Sequence, residues 1–115
     1  MSGKGKEEKN PVTLGDDGVL HLSGTWTVEH AVSLKAKLQE QLDSRGPESV
    51  DLSGIDWIDT AGLQLLLAAA LFARDEAGTL HIRGGNPDVQ RALRVSGVAD
   101  ALESQGVTVD FNSEV

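Results

Sequence analysis

Between Val12 and Phe111, short apolar runs alternate with helical stretches of about ten to sixteen residues, and most helical stretches end at glycine or Gly-Pro. That order leaves few folds open. Strands separated by helices of this length pair in parallel, because parallel neighbours need a long crossover, and the sheet they form must be covered by the helices that connect it. The front of the chain departs from the pattern. Val12-Thr-Leu14 and Val19-Leu-His-Leu-Ser23 are separated only by Gly15-Asp-Asp-Gly18, which reads as a hairpin. The expected class is α/β, a single domain with a mixed, mostly parallel sheet.

Gly24 closes the hairpin in this reading, and Thr27 caps a first helix with Glu29 and His30 in its opening turn. Ala31, Leu34, Leu38 and Leu42 then form one apolar stripe, and Gly46-Pro47 ends it. Ser49 to Ser53 is a strand, followed by the loop Gly54-Ile-Asp-Trp-Ile-Asp-Thr60. A second helix begins near Ala61, runs to about Glu76 and stops at Gly78. Thr79 to Arg83 alternates as a strand until Gly84-Gly85 breaks it. Asn86 caps a third helix, with Pro87 in its first position and Gly97 as its stop. Val98 to Glu103 adds a short helical turn, and Val107 to Phe111 is a closing strand.

Composition narrows the function. The chain has 115 residues, enough for one ordinary core and too few for two. Aromatics are 3% with no Tyr, which excludes a base-stacking platform. A net charge of -8 repels phosphate backbones and anionic lipid headgroups, so neither nucleic acid nor membrane insertion is expected. There is no cysteine to supply a thiolate or disulfide. The longest apolar run, Leu65 to Ala73, is nine residues, half of the roughly 18 that span a bilayer. Residues 1–10 are polar, carrying Lys4, Lys6 and Lys9 against Glu7 and Glu8 without the apolar stretch of a signal peptide. They read as a disordered tail before a domain over 11–115, and a cytoplasmic location follows.

Catalytic chemistry is thinly supplied. His21, His30 and His81 are scattered without metal-ligand spacing, and Gly84-Gly85-Asn86-Pro87 lacks the Lys-Ser/Thr of a phosphate loop. No metal or cofactor is expected. Asp56 and Asp59 lie three residues apart, a spacing open to acid and base work, although capping by Asp59 and solvation of Asp56 is the simpler reading. Thr60 falls at the junction of that loop and the second helix, where free N–H groups and the positive helix end receive an anion. Ala61 and Gly62 leave the approach open. Thr60 is therefore either a capping hydroxyl or a place where a phosphoryl group brings about -1.5 to -2 charges. The second helix is apolar nearly all the way round, with Leu65 and Phe72 opposite Leu63 and Ala70. Its outer side is either packed beneath neighbouring helices or exposed to a protein partner.

The run Val50-Asp-Leu-Ser-Gly-Ile-Asp-Trp-Ile-Asp-Thr-Ala-Gly-Leu-Gln-Leu-Leu67 resembles the core signature of the STAS domain, the family of sulfate-transporter tails and anti-sigma factor antagonists. The likeness extends to Gly24, to Thr79-Leu-His-Ile-Arg83, to Pro87-Asp-Val-Gln-Arg-Ala-Leu93 and to Ser96-Gly-Val98. It implies a mixed sheet with helices mainly on one face, no enzymatic activity and a docking role. In the antagonist branch, the hydroxyl residue after the Asp is phosphorylated by a partner kinase that is itself the anti-sigma factor. Thr60 takes that position here, where the antagonists more often carry Ser. The resemblance thus implies a partner surface of Trp26, Asp56, Trp57, Asp59, Thr60, Ala61, Gly62 and Leu63, with nucleotide and Mg²⁺ brought by the partner. A second branch, the small STAS subunit of bacterial phospholipid-trafficking ABC transporters, shares Asp-Thr-Ala-Gly and a segment like Gly24-Thr-Trp-Thr27. There the same surface docks on an ATPase subunit. A looser similarity is to STAS proteins that accompany chemotaxis kinases.

Overall fold

The computed structural model describes residues 10–44, 46–77 and 79–111. The expected tail thus lies outside the described residues except for Asn10, whose Oδ1 accepts the Val12 N–H at 3.0 Å. Five strands, β1 (Val12–Leu14), β2 (Val19–Trp26), β3 (Ser49–Ile58), β4 (His81–Arg83) and β5 (Thr108–Asp110), form one sheet in sequence order. β1 is antiparallel to β2 and every other pairing is parallel. Four helices connect them: α1 (Ala31–Ser44), α2 (Thr60–Ala77), α3 (Pro87–Ser96) and α4 (Val98–Ser104).

Alternation along the strands divides the sheet into two unlike faces. Leu20, Leu22, Val50, Leu52 and Ile82 are buried in one core with Leu34, Leu38, Leu66, Ala70, Leu93 and Leu102 of the helices. The opposite face carries Thr13, His21, Asp51, Arg83 and Asp110, which stand side by side in the registers of the five strands. All but Asp51 are exposed, so the helices lie mainly on one face. On the open face, partial burial opposes ionisation of Asp51. The Ser53 hydroxyl and N–H outweigh it by donating to Oδ1 at 2.5 and 2.9 Å, with help from the charges of His21 and Arg83, and hold the carboxyl below its ordinary value. His21 Nδ1 is 3.4 Å from Asp51 Oδ2, a cross-strand pair of the kind a solvated strand histidine makes.

Three expectations need correction. β2 does not close at Gly24. It runs on to Trp26, because Gly24 takes φ +86° and the ladder to β3 absorbs two irregularities. The stretch after Ser53 is correspondingly strand, not loop: Thr25 pairs with Trp57 and Trp26 with Ile58. Gly54 permits this, since a Cβ there would lie 2.7 Å from Ser23 Cβ. Finally, Thr27 precedes a 3₁₀ turn, Val28–His30, and makes no capping hydrogen bond; its Oγ1 is buried without a partner. The Val28 N–H, at the first position of that turn, donates instead to Asp59 Oδ2 at 3.0 Å.

α3 follows its sequence signals closely. The Asn86 side chain accepts the Val89 N–H at 2.8 Å, Pro87 stands in the first turn, and Gly97 ends the helix at φ +89°. Among the described residues, no helix is long and apolar enough to cross a membrane.

Candidate functional site

β2 and β3 finish together, and α2 starts from that shared end. The Asp59 N–H donates to the Trp26 carbonyl at 3.1 Å, and the Asp59 carbonyl accepts the Leu63 N–H at 2.8 Å, so Asp59 is the residue before the first helical turn. Its side chain completes the cap. Oδ1 accepts the Gly62 N–H at 3.1 Å and Oδ2 accepts the Val28 N–H at 3.0 Å. One carboxylate therefore ties the start of α2 to the 3₁₀ turn that follows β2. The Gly62 N–H chiefly, with that of Val28, holds the Asp59 carboxyl below its ordinary value, so it is an anion at neutral pH.

Capping by Asp59 releases Thr60 from that task. Thr60 is the first residue of α2 and is exposed, and no side-chain hydrogen bond holds its hydroxyl among the described residues. Gly62 is buried directly behind it. A Cβ at Gly62 would lie 2.0 Å from the Trp26 carbonyl oxygen and 2.8 Å from Ile58 Cγ1, so glycine is what lets the helix seat against the strand ends.

The sequence-derived surface divides in two at this point. Asp56, Trp57 and Thr60 are exposed, Trp57 at 55%, while Asp59 and Ala61 are half-buried. These can meet a partner. Gly62, which has no side chain, is buried, and so are Leu63 and Trp26, so the placement of all three on the docking surface is corrected, that of Trp26 above all. Its ring is 0% exposed and its Nε1 donates to the Ser23 carbonyl at 2.8 Å, while its own carbonyl anchors Asp59. It is a positioning residue. Val28, exposed at 67%, adjoins the cap through its N–H and was missed, since a single valine in a turn breaks no pattern. Asn86 fixes the other flank. Its Nδ2 donates to the carbonyls of Ile55 at 3.2 Å and Asp56 at 3.4 Å, setting the start of α3 against the end of β3.

Chemically, the site offers an exposed hydroxyl at a helix start, one firmly ionised carboxylate beside it, a second exposed carboxylate and two exposed apolar side chains. Among the described residues there is no group of three or more His, Cys, Asp or Glu side chains able to hold a metal ion. The arrangement suits docking and a change of charge.

A family model described as the MlaB STAS domain matches residues 11–109. The chain belongs to this STAS family. Solved structures that share its fold include a Thermotoga maritima protein assigned provisionally as an anti-sigma factor antagonist, and the anti-sigma factor antagonist SpoIIAA in its unphosphorylated form. The first is 20% identical over 90% of this chain and 88% of its own, with a TM-score of 0.64. The second is 16% identical over 84% and 81%, with a TM-score of 0.56. At these identities the likeness is one of fold. No curated protein matches the sequence of this STAS domain.

Proposed function

We propose that this STAS domain is a non-enzymatic regulatory module that docks a partner through the start of α2, and that the partner is an anti-sigma factor with kinase activity whose phosphoacceptor is Thr60. The observation that carries the reading is the division of labour between neighbours: Asp59 caps the helix, so the Thr60 hydroxyl stands exposed and untied at its first position. The partner supplies ATP and Mg²⁺. A phosphoryl group adds about -1.5 to -2 charges next to the Asp59 anion. Helix-end attraction of up to ~1 kcal/mol is too small to offset the desolvation and repulsion that a docked acidic surface then meets. Phosphorylation therefore releases the partner.

Incubation with ATP and the cognate anti-sigma kinase, read by mass spectrometry, is expected to place one phosphate on Thr60. Thr60→Glu is expected to weaken binding by about tenfold or more, the effect of one desolvated like charge, while Thr60→Val binds and stays unmodified. An unmodified Thr60 together with full binding by Thr60→Glu would defeat the proposal. The matched family description and the Gly24-Thr-Trp-Thr27 segment favour a second reading, in which the same surface docks constitutively on the ATPase subunit of a phospholipid-transport ABC complex. Co-purification with such a subunit, with Thr60 unmodified, selects that reading.

A further inference from the structure

The outer side of α2 is neither fully packed nor fully open. Leu63, Leu66, Ala70 and Ala73 enter the core, Leu65 is half-buried, and Phe72 stays 44% exposed. Between α2 and α1 runs a groove of about 300 Å³. Its α1 rim is Lys35, Gln39 and Asp43, and its α2 wall includes Leu65, Ala68 and Phe72. Because β2, β3 and β4 are parallel, the two connecting helices run in the same sense. Lys35 and Leu65 therefore mark one end of the groove, and Asp43 and Phe72 the other.

From that order we infer that the groove is the contact between two copies of this chain, related by a two-fold axis through Gln39 and Ala68. Along α1 the rim reads positive, neutral, negative at four-residue steps, so Lys35 and Asp43 stand about 12 Å apart along the axis and about 80° apart around it, both on the groove. Reversing a second copy over the first sets Lys35 against the other copy's Asp43, and the pairing occurs twice. Neither residue has an ion-pair partner among the described residues. Along α2 the same axis faces Leu65 with the other copy's Phe72, while the small Ala68 at the centre admits close helix approach. An unrelated partner helix would need both charges and both bulky groups matched to this spacing. A second copy has them by symmetry.

Thr60 is not consumed by the contact. At 100° per residue it points about 110° away from the Leu65, Ala68 and Phe72 side of α2, so this pairing stands apart from the docking proposed at the helix start. The patch is smaller than a standard stable interface, so association is reversible, with a dissociation constant on the order of 10–100 µM.

Sedimentation equilibrium of the full chain from about 10 µM to about 1 mM, at about 0.15 M salt, spans that constant and reads the association directly. The mass is expected to rise from that of the 12.1 kDa monomer toward twice that value. Ala68→Glu, a change at an exposed position, is expected to hold the chain monomeric with an unchanged circular-dichroism spectrum. Lys35→Asp alone and Asp43→Lys alone each weaken association about fivefold or more, by turning two ion pairs into two repulsions, and the double exchange restores it. A monomer at every concentration, an Ala68→Glu chain that dimerises like wild type, or a double exchange that fails to restore association each overturns the inference.

Discussion

At Gly62 the start of α2 touches the end of β2 with no room for a methyl group, since that methyl would lie 2.0 Å from a carbonyl oxygen of the backbone. Neither backbone can yield without breaking the Asp59 N–H to Trp26 bond or the Asp59 cap. Gly62→Ala is expected to cost about 3 kcal/mol or more in urea unfolding, at the upper end of overpacking effects. A cost below about 1 kcal/mol would show that the two ends are not in fact pressed together. This glycine was legible in Asp59-Thr-Ala-Gly62 only as a small residue that opens the approach to Thr60, because its contact partner is 36 positions earlier in the chain. In the sequence, Trp26 stays open between a partner contact, implied by the Gly24-Thr-Trp-Thr27 likeness, and a plain core or rim aromatic. Only the joining of the β2 and β3 ends around it decides for the core.

Among the elements, α3 was readable in full and β3 only by half. Asn86, Pro87 and Gly97 each act within their own turn, so local chemistry fixes both ends of α3. The second half of β3 is held by a partner strand, through a ladder with two irregularities that destroy the simple alternation a sequence displays. Without that alternation, Asp56 and Trp57 read as loop. Asn86 links the two elements, since the same side chain caps α3 and donates to Ile55 and Asp56 at the end of β3. Asn86→Ala is therefore expected to cost more than an isolated cap, about 2 kcal/mol. Asn86→Asp, which keeps the cap and loses the amide donors, is expected to recover only part of that in the same unfolding assay. Full recovery would show that the link to β3 adds nothing.

For the molecule as a whole, acid stability follows from two carboxylates, one on the open face of the sheet and one at the start of α2. Asp51 and Asp59 both ionise below the ordinary carboxylate value in the folded chain. A depressed folded value means that the unfolded chain takes up protons first as pH falls. The stability these groups contribute is fully present above the unfolded value near 4 and is lost as pH drops through the folded values. The urea midpoint is expected to be nearly flat from pH 7 to about 5 and to fall below about 4. Asp59→Asn, which still caps but does not ionise, flattens part of that fall. An identical acid limb in wild type and Asp59→Asn would remove Asp59 from the account.

The sheet also ends abruptly on both sides. β1 and β5 are three residues each, Pro11 precedes the first, and Asp110 closes the second. Such brief borders give an incoming chain little backbone to template upon. Concentrated preparations should therefore stay free of fibrils grown strand upon strand.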